Sequence, residues 1–485
     1  MTLRINWRAP RWGYNMDEVK KNIRRVFWLY FVLFAVLAIY FVKFLFFDSK
    51  SIITSPYNPR LKIQDSSVKR GDILDSAGEK LAFTDNNGNR VYPLGYEAAH
   101  AVGYYNAGSA GSYGSEAKYN YELQTVGSEV LQRLHSIFYG GSVAGNSIVL
   151  TIDAGLQSYI YNQLQDYKAG AIVLEPSTGK ILAMVSTPSF DPNSLAGDFN
   201  DLAKDSSGSP LLNRAAQGKY APGSVYKIVT AAAVMEYMPG YEDYTYTCAG
   251  TDVVGGKALN CDYSIEHGEE KLTKAFTVSC NTFFANIGLQ TGAENLRSMS
   301  ERFYFNSELP YPLEYSVSSF PLRKESDDSE LVDTAIGQGR IMTSPLQIAL
   351  ITSAVANDGI LMSPYILDHI QSYDGKITHK TLPVMARVVL TPDISAKLKD
   401  MMINVTENGT GSRAAVSNIK IAAKTGSAQA SNKGPTEVVH GWYTAFFPAD
   451  NPRFVLCIVI ENIGGSLRVL PMAKNIIEHL TNLGK

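Results

Sequence analysis

The chain has 485 residues, 45% of them hydrophobic and 19% charged, with a formal net charge of −2. That length holds two or three domains, and the balance is that of an ordinary globular protein with material for a large core. A near-neutral charge with no basic tract beyond the N-terminus and no aromatic–basic stacking pattern excludes a nucleic-acid partner.

Seven basic residues, Arg4, Arg8, Arg11, Lys20, Lys21, Arg24 and Arg25, precede the apolar run "VFWLYFVLFAVLAIYFVKFLFF" at 26–47. The run carries one charge, Lys43, close enough to its end to reach the interface, and is long enough to span about 30 Å of hydrocarbon. A cleaved signal peptide would have a shorter apolar region and a small-residue cleavage site. Here "FFDSK" follows, so we expect an uncleaved anchor. The basic flank predicts a cytoplasmic tail at 1–25, a membrane span at 26–47 and an extracytoplasmic remainder.

Residues 48–150 are rich in Gly, Ser and Tyr. "RGDILDSAGEKLAFT" (70–84) reads as strand, turn, strand, and "YYNAGSAGSYGSEAKYNYEL" (104–123) as a long loop entering a helix. No charged catalytic cluster appears, so this part reads as a structural module. From residue 147 the pattern changes. "SIVLTID" (147–153) is β-rich and "AGLQSYIYNQLQDY" (154–167) amphipathic and helical. "GAIVLEPSTGKILAMVS" (170–186) reads as a hairpin, followed by a polar, loop-rich stretch to residue 219. Helices such as "SPLQIALITSAVAN" (344–357) fill the middle. Three late strands, 418–430, 440–448 and 453–461, precede a closing amphipathic helix at 471–483. An early hairpin and three late strands predict one antiparallel sheet built from both ends of 151–485, with helices on its faces: an α+β fold.

The four cysteines, Cys248, Cys261, Cys280 and Cys457, include no CxxC pair, which argues against a zinc ribbon or redox motif. Cys248 and Cys261 stand in a Gly-rich stretch with His267 nearby. A disulfide and two free thiols both remain open. No metal and no cofactor is expected.

In "YAPGSVYKIVTAAAVMEY" (220–237), Ser224 stands where a Pro-Gly turn meets strong helix formers, and Lys227 follows one turn on. Ser-x-x-Lys by itself says little: the same spacing starts at Ser66, Ser115, Ser177 and Ser417. Ser224 could be a helix cap with Lys227 a solvated charge. It could equally be a nucleophile with its base on the same helix face. Two further motifs bear on the choice. "VSCNTFFANIG" (278–288) holds Ser279-x-Asn281, and "AAKTGSA" (422–428) holds Lys424-Thr425-Gly426. Together and in this order the three motifs are specific.

On these residues the chain resembles the penicillin-binding proteins, in particular the monofunctional class B transpeptidases. "RGDILDSAGEKLA" is similar to a signature of that family's pedestal module, with Ser76 and Ala77 departing from the usual Arg-Asn. "VYPLGYEAAHAVGY", "SFDPNSL" and "AIGQGRIMTSPLQIA" are similar to family sequence too. No glycosyltransferase domain precedes the pedestal, which argues against class A. The resemblance implies a pedestal module at 48–150 and a transpeptidase domain at 151–485 with the penicillin-binding fold.

It also implies roles. Ser224 would attack the carbonyl between the two terminal D-alanines of a peptidoglycan stem peptide, with Lys227 as base. Ser279 would relay a proton to the departing amine, and Asn281 would hold substrate peptide groups. Lys424 would supply a fixed charge for the substrate carboxylate, and Thr425 and Ser427 hydroxyls to bind it. Gly426 would let the backbone approach, and the N–H groups of Ser224 and Ser427 would form an oxyanion hole. Ser427 stands where many relatives have threonine. β-Lactams would acylate Ser224, and a polytopic membrane glycan polymerase is the implied partner.

Three rival readings fit less of the sequence. A class A β-lactamase needs Glu-x-x-Leu-Asn, and the two Leu-Asn pairs here, at Leu212 and Leu259, have Ser209 and Gly256 in place of the glutamate. A β-lactam sensor needs a cytoplasmic signalling part larger than the short tail. A catalytically dead scaffold is at odds with the intact motif set.

Overall fold

A computed structural model of the chain describes residues 16–44, 68–105, 110–125, 143–431 and 438–482. It divides into two units, 1–63 and 64–485. In the first, Met16–Lys43 form one 28-residue helix with no buried residue. At about 1.5 Å rise per residue it is some 42 Å long, more than the roughly 30 Å of a bilayer core. Phe27, Trp28, Phe31 and Phe34 are all more than half exposed, an apolar surface that water does not favour and lipid does. The last residues of the expected span, 45–47, lie outside the described residues.

The second unit is built on a five-stranded antiparallel sheet. We number its strands β1 (Ala169–Leu174), β2 (Ile181–Thr187), β3 (Ala422–Ser431), β4 (Val438–Phe447) and β5 (Phe454–Ile460). Their spatial order is β3-β4-β5-β1-β2. The early hairpin and the late strands thus meet through β5 and β1, with Cys457 opposite Ile172, as the sequence predicts. Every residue of β1 and β5 is buried, because both faces are covered. Alternate side chains go to opposite sides. Ala171, Val173, Leu456 and Ile458 pack with Leu156 and Ile160 of the helix Ala154–Leu164 and with Ile476 and Ile477 of the helix Leu470–Asn482. Ile172, Leu174, Val455 and Cys457 face a larger core that includes the helices Pro345–Ala356 and Lys227–Tyr237. Pro345–Ala356 is buried on all twelve residues, which explains a sequence apolar all round. Its N-cap Ser344 accepts from the Gln347 N–H, and Asp153 caps its own helix by accepting from Leu156 N at 3.0 Å.

A second, mixed sheet has six short strands. Ile73–Leu74 runs parallel to Ser147–Leu150, which pairs antiparallel with Leu367–Gln371. Lys80–Thr84 and Arg90–Val91 extend one side. Residues on either side of position 150 therefore share one sheet. Behind it, Glu116 is fully buried between Arg70 Nε (2.9 Å) and Arg90 Nε (2.7 Å). The long loop entering a helix read at 104–123 ends in two short helices, Gly114–Lys118 and Asn120–Gln124. The polar stretch before residue 219 holds a helix at Leu195–Lys204.

Candidate active site

The Ser224 turn is fixed by two glycines. Gly223 has φ +55, a left-handed geometry that suits glycine, and a Cβ there would lie 2.4 Å from the Ser427 carbonyl oxygen. A Cβ on Gly426 would lie 3.0 Å from Val225 N and 3.1 Å from Pro222 O. Strand β3 is the edge of its sheet, and these glycines let its backbone come against the turn. The Gly223 N–H donates to Gly337 O at 2.8 Å, and Trp442 Nε1 donates to Ala221 O at 3.0 Å. Ser224 then lies in a 3-10 turn, Gly223–Tyr226, that runs into the helix Lys227–Tyr237 with no side-chain cap at either start. Among the described residues the Ser224 hydroxyl has no hydrogen-bond partner, and Lys227 is completely buried. The cap-and-surface-charge reading therefore fails on both residues.

The second motif sits on a helix terminator. The helix Leu272–Thr277 ends with Ser279 N donating to Phe276 O (3.2 Å) and Cys280 N to Ala275 O (2.8 Å). This 5→2 and 6→1 pair is a Schellman motif, whose left-handed position glycine usually fills. Ser279 fills it here at φ +60, at a cost of about 1–2 kcal/mol for a residue with a Cβ. The conformation lets Ser279 meet two lysines. Its carbonyl accepts from Lys227 Nζ at 2.8 Å, and its hydroxyl accepts from Lys424 Nζ at 2.9 Å. The next helix, Asn281–Thr291, starts immediately.

Lys227 Nζ has two other acceptors, Cys280 O at 3.3 Å and Asn281 Oδ1 at 2.7 Å. The Ser224 hydroxyl is not among its partners in this state, as is common before substrate tightens such contacts. Asn281 also donates from Nδ2 to Asn260 O at 2.9 Å. Asn281 thus ties Lys227 to Asn260 and keeps one N–H and one Oδ1 lone pair to spare. Burial pulls Lys227 down to about 8. Lys424 is also completely buried, and burial followed by the Lys227 charge pushes it well below the usual lysine range. Each amine lies over an aromatic ring, Phe284 at 5.2 Å and Phe276 at 5.4 Å. Burial and the neighbouring amine both disfavour a second positive charge here. That departs from the fixed cation expected of Lys424.

Ser224, Ser279, Asn281, Thr425, Gly426 and Ser427 all line one cleft of about 520 Å³, and the two lysines lie beneath it. All eight residues singled out in the sequence thus come together. The cleft has members that motif reading did not find. Thr410 Oγ1 is 2.6 Å from Thr425 Oγ1, Gln338 Nε2 donates to Ser427 O at 3.2 Å, and Ser466 N donates to Ser427 Oγ at 3.1 Å. Gln338 lies in "AIGQGR", which carries a family resemblance without a role; Thr410 and Ser466 carry no signal at all. A hydroxyl with no hydrogen-bond partner among the described residues, above two buried amines whose burial lowers their hold on a proton, is the equipment of serine acyl transfer.

The comparisons with known proteins agree with that chemistry. The penicillin binding protein transpeptidase domain matches residues 169–478. The peptidoglycan D,D-transpeptidase PbpA of Mycolicibacterium smegmatis is 31% identical over 87% of this chain and 89% of its own. MrdA of Haemophilus influenzae, also named a peptidoglycan D,D-transpeptidase, is 30% identical over 70% of this chain and 57% of its own. The ceftriaxone acyl-enzyme of penicillin-binding protein A from Mycobacterium tuberculosis superposes with a TM-score of 0.78 at 30% identity, covering 86% of this chain and 99% of that one. The chain belongs to the penicillin-binding protein transpeptidase family, in its class B branch.

Proposed function

We propose that the chain is a peptidoglycan D,D-transpeptidase working through an acyl-enzyme on Ser224. The Ser224 oxygen attacks the carbonyl between the terminal D-alanines of a stem peptide, and its proton passes to the Lys227 amine. The oxyanion that forms is held by the Ser224 and Ser427 N–H groups. As the C–N bond breaks, the proton returns to the leaving D-alanine with the Ser279 hydroxyl, which Lys424 Nζ contacts at 2.9 Å, as its immediate donor. An amine of a second stem peptide then attacks the ester carbonyl, the bond to the Ser224 oxygen breaks, and the amine's proton passes by way of Lys227 to that oxygen, leaving the cross-link and free Ser224. The donor carboxylate meets Thr425 and Ser427, and its arrival favours the charged form of Lys424. β-Lactams present a carbonyl and carboxylate of like geometry and stop at the ester.

The observation that carries this reading is the burial of Lys227 and Lys424 on either side of Ser279, under a cleft that exposes Ser224. The cytoplasmic tail, the span at 26–47, the pedestal at 48–150 and the transpeptidase domain at 151–485 are our division of the chain. The basic flank supports an extracytoplasmic catalytic unit beside a polytopic glycan polymerase, since tethering to a lipid-linked substrate raises effective concentration. The test supplies lipid-linked, polymerised peptidoglycan to the full chain in membranes. Cross-linked product with release of D-alanine is expected, and Ser224→Ala should abolish both. Hydrolysis of penicillin with rapid turnover and no cross-linking would mark a β-lactamase instead.

A further inference from the structure

Beside the cleft, and used by none of these steps, three thiols and an imidazole meet. The sulfurs of Cys248 and Cys261 are 3.6 Å apart, those of Cys261 and Cys280 are 3.6 Å apart, and His267 Nδ1 is 3.4 Å from Cys248 Sγ. All four atoms lie within 4.8 Å of one another, and the three cysteines are buried. We propose that Cys248, Cys261, His267 and Cys280 bind one Zn2+ ion. A tetrahedral zinc site, with Zn–S about 2.3 Å and Zn–N about 2.0 Å, puts its sulfurs about 3.8 Å apart and sulfur and nitrogen about 3.5 Å apart. The observed separations are close to both.

Neither alternative raised by the sequence fits as well. A disulfide needs sulfurs about 2.0 Å apart and would leave the third thiol and the imidazole facing it. Free thiols are weak acceptors, yet three donors are aimed at these sulfurs. Gly250 N–H and Phe283 N–H donate to Cys248 and Cys280 at 3.4 Å each. The Thr282 hydroxyl lies 3.2 Å from Cys248 Sγ and 3.3 Å from Cys280 Sγ. Donors of this kind stabilise metal-bound thiolates. A Cys3His donor set is soft and tetrahedral, which selects zinc over magnesium or calcium.

The fold assembles the set from four places. The strand Tyr246–Cys248 pairs with Gly268–Glu270 so that Cys248 lies opposite Gly268, next to His267. The hairpin of Thr251–Val254 and Lys257–Asn260 brings Cys261 back to Gly250, where Cys261 N donates to Gly250 O at 2.8 Å. Cys280 is the N-cap of Asn281–Thr291 and the middle residue of Ser279-x-Asn281. The ion would therefore pin the hairpin to the segment that presents Ser279 and Asn281 to the lysines. That consequence rests on the proposed function; the metal site does not.

The test uses the full chain purified in detergent with reductant present. One equivalent of zinc by elemental analysis is expected, lost in Cys248→Ser and in His267→Ala. Zinc stripped by a chelator should return on adding Zn2+ but not Mg2+, with recovery of the melting temperature. Co2+ in its place should give the intense visible absorption of a tetrahedral thiolate site, which reads the ligands directly even if a variant folds poorly. Penicillin acylation should slow on stripping and recover with Zn2+. Zinc bound without any change in acylation would keep the site and remove its link to Ser279. Free thiols with no metal taken up after Zn2+ is supplied, or a stable Cys248–Cys261 disulfide in the chain isolated without reductant, would overturn the proposal.

Discussion

At the scale of single residues, the chemistry depends on how burial treats two lysines. A lysine in water is a cation and no base; desolvation makes Lys227 one. Removing it leaves Ser224 without a proton acceptor, so Lys227→Ala should slow penicillin acylation by about 10²–10⁴-fold. Lys227→Arg keeps charge and length but cannot deprotonate, and should be no better than about tenfold above the alanine variant. Stopped-flow acylation rates decide it. An arginine variant close to wild type would make Lys227 an electrostatic prop and place the base elsewhere. The residue scale was also the most legible one. Ser224, Lys227, Ser279, Asn281, Lys424, Thr425, Gly426 and Ser427 were all named from motif order and family resemblance. Geometry alone reveals that Asn281 Oδ1 accepts from Lys227 and that Lys424 is completely buried, which pushes it below the usual lysine range.

At the scale of elements, helix ends and strand edges decide where these side chains point. Ser279 occupies a position that glycine would fill without strain, so its hydroxyl must be kept for another reason. Ser279→Gly should relieve about 1 kcal/mol of backbone strain and lose the bond to Lys424, worth about the same. Thermal stability should stay within about 1 kcal/mol of wild type while acylation falls about 100-fold or more. A fully active glycine variant would show that Ser279 carries no proton. Elements of sustained period were readable: β1, β2, β5 and the helices Ala154–Leu164 and Pro345–Ala356 match the sequence reading within a few residues. Of the short ones, the strand–turn–strand at 70–84 was readable, as Ile73–Leu74 and Lys80–Thr84, but Arg90–Val91 is two residues long, too brief to show a period, and the pairing of Ile73–Leu74 with Ser147–Leu150 and of that strand with Leu367–Gln371 joins segments far apart in sequence. The cysteine cluster was legible only in part: Cys248, Cys261 and His267 stand out as neighbours in the sequence, but Cys280 joins them through the start of the helix Asn281–Thr291, and no metal is expected from spacing alone.

At the scale of the molecule, one buried cluster ties distant parts of the chain together. Burial pushes Glu116 up, but Arg90 and Arg70 outweigh it and hold the carboxyl below its ordinary value of 4.5. A carboxyl depressed in the folded state adds stability above its unfolded value, and that stability is lost as pH falls through the folded value. Denaturant midpoints should therefore hold steady from neutrality to about pH 4.5 and then decline. Glu116→Gln should cost about 3–5 kcal/mol at pH 7, since it strands two buried guanidinium groups, and should flatten the acid limb. An unchanged midpoint at pH 7 would contradict this account of the cluster.

The central claim is that Ser224 is the residue acylated. The measurement is intact mass of the full chain after incubation with penicillin, followed by peptide mapping. The account predicts one adduct per chain, on the peptide carrying Ser224, and none in a folded Ser224→Ala variant. An adduct at Ser66, Ser115, Ser177 or Ser417, or an undiminished adduct in the alanine variant, would contradict it.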